Sequence, residues 1–169
     1  MADGSCNILR RGWTGLMAVL LSACTIFVAP QHYTTEQSLL ENRGKPSVVW
    51  RNDDGTRTLV YATQPFGQTC WMYTVDAAGQ IIAAHDALLR DNLRNVQPGL
   101  TMDAVRHLLG PEYKQMYFSL SDLTTLEWTI AKEWENRSIL ATRFVVYFRD
   151  EKVVKTEIIE IQPLDRGSL

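Results

Sequence analysis

The segment Thr101-Met-Asp-Ala-Val-Arg-His-Leu-Leu-Gly-Pro111 leaves the chain little freedom: it calls for a short helix and then forbids that helix to continue. Thr101 is a residue type that accepts a hydrogen bond from a first-turn N–H, and Asp103 complements the positive end of the helix dipole. Met102, Val105, Leu108 and Leu109 recur at a spacing that puts them on one side. Gly110 tolerates a left-handed close and Pro111 cannot extend the helix. Beyond it the period changes to two. Residues 113–119, 124–130, 142–148 and 152–161 are rich in β-branched and aromatic residues and are predicted strands. Phe144, Val146 and Phe148 alternate with Val145 and Tyr147, and Asp150-Glu151-Lys152 is a tight-turn candidate.

The upstream half carries the same order. Residues 35–44 have the spacing of 101–110, with Leu39 at the place of Val105 and Pro46 following. Predicted strands follow at 48–51, 57–62, 68–75 and 80–84, with turns at Asn52-Asp-Asp-Gly55 and Asp76-Ala-Ala-Gly79. Leu59-Val-Tyr61 falls where Leu126-Glu-Trp128 falls later. The expectation is an α+β chain of two tandem repeats, 34–84 and 85–163, each of short helices packed on an antiparallel meander. The strands would form two sheets or one continuous sheet, and 164–169 would be a tail. Between the halves, Ala87, Leu88, Leu89, Leu93 and Val96 predict a lead-in helix within 86–96 whose start may be shared with the preceding strand, before the bend at Pro98-Gly99.

Composition shifts at the N-terminus, where Arg10 and Arg11 precede an uncharged run over 13–30. The apolar core over 13–21 is about nine residues, short of the roughly 20 needed to span a bilayer and suited to a secretory signal. An uncleaved signal anchor requires adding 25–29. Leu21-Ser22-Ala23-Cys24 resembles the lipobox of bacterial lipoproteins. That resemblance implies cleavage between Ala23 and Cys24, an S-diacylglycerol and an N-acyl chain such as palmitate on Cys24, removal of 1–23, and a lipidated tether over 24–33. Thr25 is not the aspartate that commonly retains such proteins in the inner membrane, so the implied destination is the outer membrane, facing the periplasm. Of the three cysteines, Cys6 would leave with the signal and Cys24 would be acylated. Cys70 would then have no intramolecular disulfide partner. It sits in a strand-like run without an adjacent base and is expected to be a buried structural thiol.

The run Pro98-Gly-Leu-Thr-Met-Asp-Ala-Val-Arg-His-Leu-Leu-Gly-Pro111, preceded by Asn92-Leu-Arg-Asn-Val96 and followed by Glu127-Trp128, resembles the SmpA/OmlA (BamE-like) family of small outer-membrane lipoproteins. The first half departs from that pattern, with Tyr33-Thr34 where Gly-Leu or Gly-Met is expected and Arg43-Gly-Lys-Pro46 as its close. The tandem layout also resembles the β-lactamase-inhibitor-protein fold. The family resemblance implies a non-catalytic binding or scaffold module, with envelope proteins such as the β-barrel assembly machinery as partners. The inhibitor-like layout implies an alternative, an inhibitor or sensor of a periplasmic enzyme.

A formal net charge of −2 lacks the basic footprint of phosphate neutralisation, which argues against nucleic acid as a partner. His32, His85, His107 and Cys70 fit no hydrolase or metal motif, so no catalytic residue, metal or cofactor is expected. The least unlikely catalytic set is Cys70 with His85-Asp86. Candidate contact residues are Pro65, Phe66 and Gly67 in the Gln64-Pro-Phe-Gly67 loop, the plainer expectation being that Phe66 plugs the core. Trp50, Trp71 and Trp128 are expected in the core or on a sheet face. Glu133-Trp-Glu-Asn-Arg137 is expected to be a polar loop, with Trp134 covering an edge.

Overall fold

The computed structural model describes residues 32–131 and 141–161. Helix α1 (Glu36–Arg43) leads into β1 (Val48–Arg51), β2 (Arg57–Ala62), β3 (Cys70–Val75) and β4 (Ile81–Asp86). Helices α2 (Arg90–Leu93) and α3 (Met102–Leu109) lead into β5 (Lys114–Phe118), β6 (Leu123–Ile130), β7 (Ala141–Arg149) and β8 (Lys152–Ile161). The architecture is α+β. Among the described residues the strands form two four-stranded antiparallel sheets, ordered β1-β2-β3-β4 and β5-β6-β7-β8.

The two halves use the same local solutions. The Thr35 side chain accepts from Ser38 N, and the Thr101 side chain accepts from Ala104 N, each satisfying a first-turn donor the helix cannot. Gly44 and Gly110 close their helices at φ 74° and φ 82°, donating to Leu40 O and Arg106 O. Glu36 N donates to Gly79 O at 2.9 Å, and Met102 N donates to Glu151 O at 3.1 Å, so each helix begins against a hairpin turn of its own sheet. Isolated bridges tie Thr35 to Gln80 and Thr101 to Lys152. The ladders of β3 with β4 and β7 with β8 both slip, between Thr74 and Val75 and between Tyr147 and Phe148. Asp150 and Glu151 both have positive φ, the conformation of a two-residue turn whose twist matches the flanking strands.

Leu39 of α1 packs on Leu59, Tyr73 and Val75, which lie on one face of the first sheet. Val60, Cys70 and Met72, on the opposite face, join the larger core with Val105 and Leu109 of α3 and with Leu126, Trp128 and Phe144 of the second sheet. Helix α3 therefore lies between the sheets. Its C-cap shows this directly: a Cβ on Gly110 would collide with Cys70 Sγ, while Trp128 Nε1 donates to Gly110 O at 3.1 Å. Trp128 is fully buried, and burying a side chain of this size contributes about 2–3 kcal/mol.

Three expectations need correction. Leu108 is 36% exposed, so the buried stripe of α3 consists of Val105 and Leu109. The lead-in helix is only the four residues of α2. Asp86 ends β4, its Oδ1 accepts Leu88 N at 3.1 Å to start a turn, and i→i+3 bonds from Asn95 and Val96 tighten the exit. Strand β4 runs to Asp86 rather than stopping at Ala84, because Trp71 and Met72 still offer partners to Asp86 and His85.

Candidate interaction surface

The loop 63–69 joins β2 to β3. Thr63 holds it closed: Thr63 N donates to Thr69 O at 3.0 Å, Thr63 Oγ1 donates to Thr69 O at 2.8 Å, and Thr69 N donates to Thr63 Oγ1 at 3.1 Å. Gly67 N donates to Thr63 O at 2.8 Å, and a Cβ on Gly67 would overlap the Thr63 side chain. Only glycine fits this fold of the loop. Gln64 reaches out of the loop to the second sheet, where its carboxamide donates to Thr129 O at 2.8 Å and accepts from Thr129 N at 3.2 Å. Phe66, at the turn, is 97% exposed. It does not plug the core. Pro65 is exposed beside it and Gly67 is half-buried.

Cys70 begins the next strand and is a core residue. It is completely buried, and burial, followed by the neighbouring Asp86 charge, pushes its thiol up to about 12. A thiol so placed stays protonated at neutral pH. The Asp86 carboxylate accepts from Cys70 N at 2.8 Å as well as from Leu88 N, so it orients backbone and not an imidazole. His85 is exposed on β4, and His32 is exposed ahead of α1. Cys70, His85 and Asp86 thus form no nucleophile and base. Among the described residues no group of three or more His, Cys, Asp or Glu is arranged to hold a metal ion.

His107 of α3 stacks on Trp50 of β1, with ring centroids 4.5 Å apart and planes within 12°. Val48, Trp50, Arg106, His107, Pro111 and Glu112 are among the residues lining a cavity of about 330 Å³ beside this stack. Arg106 grips Glu112 through two bonds, Nε to Oε2 at 3.0 Å and Nη2 to Oε1 at 2.7 Å. That hydrogen bonding holds the Glu112 carboxyl below its ordinary value against the opposing effect of burial.

The face of the second sheet opposite Trp128 is buried and mixed, with Thr125, Glu127 and Thr129 beside Val145, where the equivalent face of the first sheet is apolar. Glu127 and Arg143, both buried or nearly so, pair at 3.2 Å, and the Arg143 guanidinium lies 3.9 Å over the Tyr113 ring. No local pattern in the sequence exposes the Gln64 clasp, the Trp50–His107 stack or this ion pair, since each joins residues far apart in the chain.

Ser22, Ala23 and Cys24, together with Trp134 and its loop, lie outside the described residues. Among the described residues no helix is long and apolar enough to cross a membrane. No protein-family model matches the chain, and no curated protein does. A chain from Streptococcus mutans, its crystal structure described as that of a candidate beta-lactamase inhibitor protein, aligns over 76% of this chain and 84% of its own, at 11% sequence identity and a TM-score of 0.29.

Proposed function

We propose that the chain is an outer-membrane lipoprotein, anchored through acylated Cys24 and facing the periplasm. Its body would act as a non-catalytic binding or scaffold module in outer-membrane protein assembly or envelope integrity. The Arg pair, the short apolar core and Leu21-Ser22-Ala23-Cys24 support the anchor. Each acyl methylene placed in the bilayer contributes about 0.8 kcal/mol, so several chains together hold permanently. The likeness of 98–111 to the SmpA/OmlA family supports the role in assembly. The body is two copies of one helix-plus-meander unit. Support for this comes from the paired threonine caps, the paired glycine closes, the two hairpin-turn contacts and the two strand slips at matching places.

The observation that carries a binding role is Phe66, almost fully exposed on a loop that internal hydrogen bonds hold closed. A large apolar side chain displayed on an ordered loop loses little freedom on binding and gains from burial against a partner. Mass spectrometry of the full chain extracted from bacterial membranes tests the anchor: loss of 1–23 with acyl mass on Cys24 is expected, and an intact N-terminus with a free thiol refutes it. A photo-reactive residue at position 66 tests the role. A component of the β-barrel assembly machinery among the adducts is expected. A hydrolase or β-lactamase in its place reassigns the module as an inhibitor.

A further inference from the structure

Gln64 is the residue of the 63–69 loop whose side chain bonds to the other sheet. Strand β5 pairs β6 only as far as Lys114 opposite Glu127, with Tyr113 N donating to Glu127 O at 2.7 Å. Two residues on, Thr129 turns its N–H and C=O to the same side of β6, where the ladder has run out. The Gln64 carboxamide fills that place: Nε2 donates to Thr129 O at 2.8 Å and Oε1 accepts from Thr129 N at 3.2 Å. One primary amide supplies the donor and acceptor that another residue of strand would have supplied, and Thr129 is nearly buried beneath it.

The clasp grips the loop next to Pro65 and Phe66, between the Thr63–Thr69 closure and the exposed ring. Residues 63–69 contain no Lys, Arg, Asp or Glu, so the loop offers no charge to lipid headgroups. Its shape, an uncharged collar around one aromatic ring, fits an apolar socket on a folded protein.

We propose that Gln64 is the positioning residue of this surface: its clasp on Thr129 holds Phe66 in the pose that enters a protein socket, so the second sheet controls a contact made by the first. This rests on the reading of Phe66 as a contact. The clasp and the contact are separable by experiment.

Gln64→Glu in the full chain supplies the test. At pH 7 the introduced carboxylate has no proton to give Thr129 O, and the clasp opens. Near pH 4, below the ordinary glutamate value of about 4.3, the protonated acid donates to Thr129 O, accepts from Thr129 N and restores it. Hydrogen exchange at the Thr129, Gly67 and Thr69 amides is expected to run about tenfold faster than in the parent chain at pH 7, and to return towards the parent rate at pH 4. Gln64→Ala, which has nothing to protonate, is expected to be faster at both. Equal rates in all three chains, or a Gln64→Glu ratio that ignores pH, overturns the clasp.

The contact is read with p-benzoylphenylalanine in place of Phe66 in isolated envelopes. Protein adducts are expected in the parent and about tenfold fewer with Gln64→Glu at pH 7, recovering near pH 4. Adducts to lipid, or none in the parent while the pH-dependent exchange persists, defeat the reading of Phe66 as a protein contact. Parent-level adducts with an open clasp defeat the positioning role alone.

Discussion

Gly110→Ala probes the junction of the two halves at a single atom. Gly110 sits at φ 82°, ψ −174°, a conformation nearly restricted to glycine, where another residue costs about 1–3 kcal/mol. The new Cβ would also collide with Cys70 Sγ and lie 3.5 Å from Val60 Cγ1 and 3.6 Å from Met72 Cε. Overpacking of this kind costs about 1–3 kcal/mol more. Together the two effects total about 2–6 kcal/mol, a large part of the stability of an ordinary domain. Gly44 provides the control. It closes α1 at φ 74°, ψ −157° with nothing within 4 Å of an added Cβ, so Gly44→Ala incurs only the backbone cost. Urea unfolding followed by far-UV circular dichroism is expected to rank Gly110→Ala about 1–3 kcal/mol below Gly44→Ala. Removing the sulfur in Cys70→Ala/Gly110→Ala should then return about 1–2 kcal/mol as a favourable coupling. If Gly110→Ala unfolds with Gly44→Ala, or if the cysteine change only adds its own cost, α3 does not close against the first sheet as described.

Arg143→Met leaves the Glu127 carboxylate uncompensated at 7% exposure and is expected to cost about 3–5 kcal/mol by urea unfolding. Glu127→Val/Arg143→Met together should restore most of that, and a double variant as unstable as Arg143→Met would count against the pair. Glu112 has a depressed folded pKa, so its contribution is present above its ordinary 4.5 and is lost as pH falls through the folded value. Glu112→Gln should therefore flatten the acid limb of a stability–pH curve, and an unchanged limb would refute the Arg106 grip. Cys70 should resist iodoacetamide near pH 8 until the chain unfolds, judged by mass, because its thiol is buried and pushed up to about 12. Phe66→Ser should leave the unfolding midpoint within about 0.5 kcal/mol of the parent, since the ring contacts almost nothing.

What could be read from the sequence was whatever local chemistry decides. Thr101 and Gly110 bound α3 to the residue, and Thr35 and Gly44 do the same for α1, because caps and left-handed closes depend on the residue itself and its next few neighbours. Alternation located β7 and β8 for the same reason. Leu108 was misplaced because periodicity marks an apolar stripe without saying how wide a groove receives it, and the core buries Val105 and Leu109 fully and Met102 in part. The lead-in helix was overestimated because the apolar residues at 87, 88 and 93 are buried by a turn as readily as by a helix. Phe66 was read both as a contact and as a core plug, because an aromatic flanked by proline and glycine looks the same whether it seals a core or stands out from it. Gln64 carried no signal at all, since its partner Thr129 lies 65 residues away.

The two sheets differ in what their equivalent faces can accept. Counting along the ladders, Glu127 and Arg143 occupy the sites that Val60 and Cys70 hold in the first sheet, and it is there that the first sheet receives a helix from its neighbour. With a carboxylate and a guanidinium in those seats, an apolar helix packed as α3 packs on the first sheet would strand both charges.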